Sequence, residues 1–382
     1  MAQLLQSDLD DLRPVLPVQR APLRVVAIGG GTGLSTLLRG FKHFVAGPWT
    51  GQGTGQDTSL EAGQAKVAEH PGCMIGDLAA VVTVTDDGGS SGRLRKDFNM
   101  LPPGDLRNCM VALSEDEHLI SRLFQHRFRN GGDLEGHSFG NLFLAALSEL
   151  TGDFTQAIKL AAEVLATKGH IYPATAANVT LAARMDNGEL VLGETNITGS
   201  KQRIVELMLQ PSVAAPLPET LEAIAAADLI TMGPGSLYTS LITNLLVEGI
   251  PEALGAARGT RIYVGNLMTQ GNESLHLTAS QHIERMYEHA RRPLFDYALI
   301  NVAPVSAALR ERYAAEGAEV IAADAERVEA MGIHCITGHF AAEGNVLRHN
   351  ADVVAETALR LALIDRAAKQ KPLPHHRSGS GV

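Results

Sequence analysis

The chain has little cysteine, no excess of positive charge and no long apolar run. Three cysteines among 382 residues, Cys73, Cys109 and Cys335, lie far apart and make no CxxC pair. That argues against a disulfide framework and a thiolate metal site, and fits a reducing cytoplasm. With 32 Lys+Arg against 42 Asp+Glu the net charge is -10, so the surface is not built to grip nucleic acid and any phosphate must be held locally. No stretch reaches the roughly 18 to 20 unbroken apolar residues of a membrane span. The opening MAQLLQSDLDDLRPVLPVQRAP has neither the cationic start nor the apolar run of a secretory signal, and residues 1–22 read as a flexible arm.

What is present is an ordinary globular composition, 45% hydrophobic and 19% charged, at a length that suits one large domain over 23–367. Residues 46–76, rich in Gly and Gln, read as a mobile surface insert, and the polar stretch 368–382 as a disordered tail. The β-branched run Leu23 to Ile28 enters a glycine turn and then a helical pattern at Leu34, Leu37, Leu38 and Phe41, which spells strand, turn, helix. A second strand is expected from Ala79 to Thr85. Helices follow at Glu117 to Phe128, Phe139 to Leu150 and Phe154 to Ala166, forming a helical layer. Asn187-Gly188 marks a tight type I′ hairpin between 178 and 195. Strands at Leu229 to Met232, Arg261 to Met268, Tyr297 to Val302 and Val320 to Ala323 then alternate with helices near 236–246, 278–290, 305–316 and 351–367. A parallel sheet covered on both faces is implied.

Six motifs can carry chemistry. In GGGTGLS, glycines let main-chain N–H groups approach a ligand and the helix start adds partial positive charge, so Gly30, Gly31, Thr32, Gly33, Leu34 and Ser35 read as a phosphate-binding turn. It is neither a Walker A loop nor a dinucleotide fingerprint. Next, TVTDDGGSSGRLR sets Asp86 and Asp87 where a strand ends, followed by Gly88, Gly89, Ser90, Ser91 and Arg93. One carboxylate there can hold Mg²⁺ or a hydroxyl while the guanidinium takes phosphate; the plain alternative is a solvated turn. In PPGDLRN, Asp105, Arg107 and Asn108 open a helix, with Asp105 equally readable as its cap. In GHSFGN, Ser138 can cap while His137 and Asn141 face a ligand, although a lone histidine is more often structural. Gly233, Gly235 and Ser236 repeat the strand, glycine turn, helix arrangement, and the two turns can wall one crevice. Finally Asn266, Met268, Thr269 and Gln270 follow a strand, and Arg348 precedes the last helix as an anion candidate.

Taken in order, GGGTGLSTLLRGFK, TVTDDGGSSGRLR, PPGDLRNCMVAL, GHSFGNLFLAAL, GPGSLYTSLITNLLV and NLMTQ resemble the CofD-like superfamily, most closely its YvcK branch, the gluconeogenesis factors. The resemblance implies a three-layer Rossmann-like fold, binding of UDP-sugars such as UDP-N-acetylglucosamine, and a role in cell shape and cell-wall precursor supply during gluconeogenic growth. In the CofD branch it implies a transferase that joins a nucleotide-activated 2-phospholactate to a deazaflavin alcohol, with Mg²⁺ on acidic residues at the stretch matching Asp86 and Asp87. Two departures stand out: the long insert 46–76, and Gly271-Asn272-Glu273-Ser274 where the branch carries Pro-Gly-Glu-Thr.

Three readings follow. The first is a regulatory nucleotide-sugar binder, with the diphosphate on the glycine turns. The second is a Mg²⁺-dependent transferase with Asp86 or Asp87 on the metal. The third, a nicotinamide dehydrogenase, suffers from the broken fingerprint. A homodimer through the helix Ala279 to Ala290 and the hairpin is a further expectation.

Overall fold

The computed structural model describes residues 21–45, 74–115, 119–130, 132–271 and 273–370. The arm 1–22, the insert 46–76 and the tail 368–382 therefore lie outside the described residues except at their inner ends. There Ile75 and Gly76 already belong to the second strand, and the last helix, Ala351–Gln370, runs into the expected tail.

Twelve strands are described in chain order. β1 (Leu23–Gly29), β2 (Ile75–Val82) and β3 (His170–Pro173) come first, followed by β4 (Thr180–Met185), β5 (Leu190–Leu192) and β6 (Ile204–Gln210). Then come β7 (Leu229–Met232), β8 (Thr260–Val264), β9 (Tyr297–Asn301), β10 (His334–Gly338), β11 (Ala341–Glu343) and β12 (Leu347–His349). Seven of them form one sheet in the order β10-β9-β8-β7-β1-β2-β3, and every pairing in it is parallel. Parallel neighbours need crossovers, which is why helices separate these strands.

Both faces of the sheet are covered, so its strands read as apolar runs instead of alternating with polar residues. Along β1, Val25 and Ala27 join one core, with Ala80, Val82, Ile262 and Leu299, beneath the helices Gly31–Lys42, Gly104–Leu113 and Ala351–Gln370. Val26 and Ile28 join the other, with Val81, Ile230 and Tyr263, against the small sheet and the helix Ala279–Ala290. The period of two along a strand divides the cores in this way. The result is the expected three-layer α/β architecture, with a helical layer and a small antiparallel element.

Several local expectations need correction. The second strand spans Ile75–Val82, so Thr83 to Thr85 already lie in the loop beyond it. The helix expected from Glu117 is described as Leu119–Gln125. The stretch Val320 to Ala323 is β-like in composition, yet only Val320 pairs, in an isolated bridge to Met268; the outer strand is β10. Composition alone does not supply a partner strand.

The hairpin is antiparallel as expected, but only Gly188 of its turn pair has positive φ, 85°. Met185 N–H donates to Glu189 O and Gly188 N–H donates to Met185 O, which makes a three-residue loop with a left-handed glycine in place of a type I′ turn. Alternating burial along Ile204–Gln210 adds a third strand, giving the order β5-β4-β6. The helix Ala279–Ala290 sinks Ala279, His282, Ile283, Met286 and Ala290 into the protein's own core. Its apolar face is thus not free for a partner copy, while Leu190, Leu192 and Val205 stay exposed on the small sheet. Among the described residues, no helix is long and apolar enough to cross a membrane.

Candidate functional site

The chain winds outward from β1 through β2 to β3, then returns to the other side of β1 with β7 and proceeds to β10. In open α/β sheets, ligands sit beyond the carboxyl ends of the strands where the order reverses. A cavity of about 650 Å³ opens at that place, walled by the turns that follow β1, β7 and β8.

The first wall is the start of the helix Gly31–Lys42. Its N-cap is Gly30, which offers no side chain, so the first-turn N–H groups need acceptors from elsewhere. Asp105 Oδ2 accepts the Gly31 N–H at 2.7 Å, and Thr32 and Gly33 line the cavity beside it. Gly31 has φ +62°, which a larger residue adopts only under strain. The second wall is the turn after β7, with Gly235, Ser236, Thr239 and Ser240 on the cavity. The two walls touch: a Cβ on Gly33 would lie 2.3 Å from Pro234 O.

The third wall follows β8. Asn266 Oδ1 accepts from Gly235 N–H at 3.1 Å and Asn266 Nδ2 donates to Gly235 O at 2.7 Å, so this amide fixes the second turn. Gln270 Nε2 donates to Ser236 Oγ at 2.9 Å, and Thr269 exchanges hydrogen bonds with the main chain of Glu319. Met268 and Arg348 complete this side, Arg348 from β12.

Thirteen of the expected ligand residues therefore come together: Gly30, Gly31, Thr32, Gly33, Asp86, Asp105, Gly235, Ser236, Asn266, Met268, Thr269, Gln270 and Arg348. The others do not line the cavity. Leu34 is core, Ser35 Oγ donates back to Thr32 O, and Gly233 packs on β8 with its Cβ position 2.7 Å from Val264 O. Gly88 caps the helix Gly89–Phe98 and Gly89 opens it, and Ser91 packs against Gly104. Arg93 donates to Glu135 O at 2.7 Å.

The motif residues Ser90, Arg107, Asn108, His137, Ser138 and Asn141 satisfy one another instead. Ser90 Oγ and His137 Nδ1 are 3.0 Å apart, and Asn141 Nδ2 donates to Ser90 Oγ. Arg107 donates to Ser138, Asn141 and Asn108. Burial and the neighbouring Arg93 push the His137 pKa down. Polar groups this deep need partners, and these six supply most of them for each other behind the cavity floor, while Arg107 Nε has none among the described residues.

The acidic pair also separates. Asp87 Oδ1 accepts from the main-chain N–H and hydroxyl of Thr195, at 2.9 and 2.6 Å, on the far side of the loop. Asp86 faces the cavity and accepts the Gly88 N–H at 2.9 Å. The two carboxylates do not converge on one point, and among the described residues no group of three His, Cys, Asp or Glu side chains is placed to hold a metal ion. The donor set does not fit Mg²⁺ held by Asp86 and Asp87 together.

Residues 25–341 match the family model described as 2-phospho-L-lactate transferase CofD. The sequence is 42% identical over 336 residues to the gluconeogenesis factor of Halalkalibacterium halodurans, covering 88% of this chain and 95% of that protein. It is 41% identical over 339 residues to the gluconeogenesis factor of Bacillus subtilis, covering 88% and 98%. The chain belongs to the gluconeogenesis factor family of the CofD-like superfamily. A crystal structure of a UPF0052 family member from Bacillus halodurans superimposes with TM-score 0.79 at 42% identity, covering 89% of this chain and all of that one.

In this family member, residues that sequence reasoning passed over also line the cavity: Thr36, Glu194, Thr239, Ser240, Tyr313, Glu316 and His349 among them. Thr239 and Ser240 lie three and four positions past Ser236, a helical spacing that could have found them. His349 adjoins Arg348; its Nε2 lies 3.0 Å from Gly265 O and burial pushes its pKa down to about 4. Glu194 lies between β5 and β6 of the small sheet and has no motif around it. Burial, then the charges of Asp86, Asp105, Glu273 and Asp87, raise its pKa to about 9, while burial raises Asp105 to about 6.

Proposed function

We propose that this protein is a nucleotide-sugar binding regulator of the UDP-N-acetylglucosamine type, acting in the cytoplasm on cell shape and cell-wall precursor supply during gluconeogenic growth. The observation that carries the reading is the meeting of two glycine turns, each opening a helix, at the order reversal of the sheet. Thr32 and Gly33 line the cavity at the start of the first helix and Gly235 and Ser236 line it from the other side, and a helix start is where a diphosphate finds main-chain donors. Arg348 supplies a cation for the same charge, Tyr313 an aromatic surface for a base, and Gln270 a polar edge. The relatives named gluconeogenesis factors support the growth context.

The family model's name favours a second reading, a phospho-group transferase related to 2-phospho-L-lactate transferase. Phosphoryl chemistry asks for charge neutralisation at phosphorus. Asp86 and Asp87 diverge, so of the two only Asp86 faces the cavity and is left to serve a metal there, and the binder is preferred. Calorimetric titration of the full chain with UDP-N-acetylglucosamine, with and without Mg²⁺ and beside Gly31→Val, tests both. Metal-independent binding lost in the variant supports the regulator; strictly Mg²⁺-dependent binding moves the assignment to the transferase.

A further inference from the structure

The cavity is built for an anion at the helix starts, yet its floor is acidic. Asp86, Asp105 and Glu194 all line it, and Asp105 already occupies one of the three N–H groups that the first helix offers. Glu273 stands behind Thr239 with Oε1 accepting from the Thr239 hydroxyl at 3.2 Å; its Oε2 is buried and has no hydrogen-bond partner among the described residues, in a side chain only 8% exposed. Arg107 offsets part of the charge on Asp105 and Asp86, and Arg95 part of that on Asp86 and Asp87, but neither is among the charges that act on Glu194. Arg107 is engaged by Ser138, Asn141 and Asn108 behind the floor, Arg95 is turned to Asn178 and Thr180, and Arg348 stands on β12 at the opposite wall.

Glu194 is the group on which these charges converge. Thr85 donates its hydroxyl to Glu194 Oε2 at 3.3 Å. The charged groups that act on it are Asp86 and Asp87 from the loop after β2, Asp105 from the helix Gly104–Leu113, and Glu273 from the segment after β8. All four are carboxylates. A phosphate or a sugar oxygen brought to this floor meets repulsion unless a proton or a cation comes with it.

Resting on the nucleotide-sugar reading above, we propose that Glu194 is a ligand-binding residue that enters the complex as a neutral carboxyl group, donating its O–H to a ligand oxygen, with Asp105 taking up a proton as the anion docks. Burial and its four acidic neighbours already hold Glu194 protonated near neutrality. Asp105, near half-titrated around pH 6, is the group that takes a proton from solvent when the negative charge of an arriving diphosphate makes its ionised form still less favourable. Ligand affinity then falls as pH rises, without any metal.

The full chain is titrated with UDP-N-acetylglucosamine in EDTA at neutral pH, in two buffers of different protonation enthalpy, beside Glu194→Gln and Glu194→Ala. The expected result is net proton uptake, affinity within about threefold of the parent in Glu194→Gln, which keeps a donor, and loss of about tenfold or more in Glu194→Ala. Binding without proton uptake, or equal losses in both variants, overturns the proposal. A ligand-free measurement separates this from failure of the nucleotide-sugar reading: thermal unfolding between pH 6.5 and about 9, above the range of Asp105 and the buried histidines, compared with Glu194→Gln. Parent stability that declines with pH while the variant stays flat supports the neutral carboxyl even if no uridine sugar binds. Parallel profiles overturn it.

Discussion

Asp105 and Gly31 are joined by a 2.7 Å hydrogen bond from main-chain N–H to carboxylate, so a side chain from one helix closes the first turn of another. The bond spans 74 positions in sequence and fixes one rim of the cavity. Replacing Asp105 with Ala leaves that N–H without its acceptor and should cost about 1–3 kcal/mol of stability, read as a lower urea midpoint at unchanged slope. A midpoint equal to that of the parent would mean that water replaces the carboxylate at no cost.

Gly33 bears on the spacing of the two walls. A methyl group there would lie 2.3 Å from Pro234 O and must push the glycine turns apart. Gly33→Ala is expected to lower nucleotide-sugar affinity at least about tenfold, ~1.4 kcal/mol, and to reduce the unfolding temperature as well. Unchanged affinity would show that the turns do not act together on one ligand.

Arg348 offers a cleaner separation of binding from folding. It is exposed on β12 and forms no ion pair among the described residues. Arg348→Ala should change stability by no more than about 0.5 kcal/mol while weakening binding of an anionic ligand about tenfold, with reduced salt dependence.

Asn266 tests the second turn. It gives one hydrogen bond to Gly235 and takes one from it. Asn266→Asp keeps the shape but sets an oxygen against Gly235 O, and a loss of about 1–3 kcal/mol is expected by chemical denaturation. Asn266→Ala, which removes both bonds without that repulsion, should be the milder change for the turn itself.

The pH dependence of stability follows from four buried groups. Glu194 and Asp105 have pKa values raised to about 9 and about 6, so the folded state keeps protons that the unfolded chain releases, and stability falls as pH rises through those values. His282 and His349 have theirs lowered by burial to about 4, so the unfolded chain takes up protons first as pH falls below 6.5 and stability is lost toward 4. Among these four groups the two pairs oppose one another between pH 4.5 and 6 and Glu194 alone acts from 6.5 to about 9, while Glu273, raised by burial, and His137, lowered by it, add in the same two senses. The expected profile of unfolding temperature is nearly level on the acid side and declines on the alkaline side. In His282→Gln with His349→Gln the acid side should instead rise as pH falls.

How much of this was legible in the residues depends on what each signal required. Strand, turn and helix at Leu23 to Phe41 could be read because hydrophobic period and glycines coincide in one short stretch. The expected positions of β7 and β9 were likewise close to those observed, whereas β8 ends at Val264, four residues short of the expected Met268, and leaves Asn266 to Met268 in the loop that walls the cavity. Val320 to Ala323 failed as a strand because pairing needs a neighbour that composition cannot name, and β10, with its partly exposed residues, gave little signal.

At the site, residues contributed by the turns themselves were found, whereas Glu194 arrives from the small sheet, far along the chain from any motif. His137, Ser138 and Asn141 illustrate the opposite error. Polar residues gathered before a helix look like ligand contacts, but with Ser90 and Arg107 they complete a buried network. Sequence reveals polarity and local spacing; it does not reveal which way a side chain turns.

The contact of Gly33 with Pro234 joins segments roughly two hundred positions apart. During synthesis the first glycine turn emerges long before its counterpart, and β1 must wait for β7 before either wall has an opposite. A nascent or truncated chain ending before that turn has half a crevice, whatever the state of its helical layer. Occupancy of the cavity is therefore a property only of the finished chain, and a ligand bound there would stabilise the completed fold over every shorter intermediate by mass action.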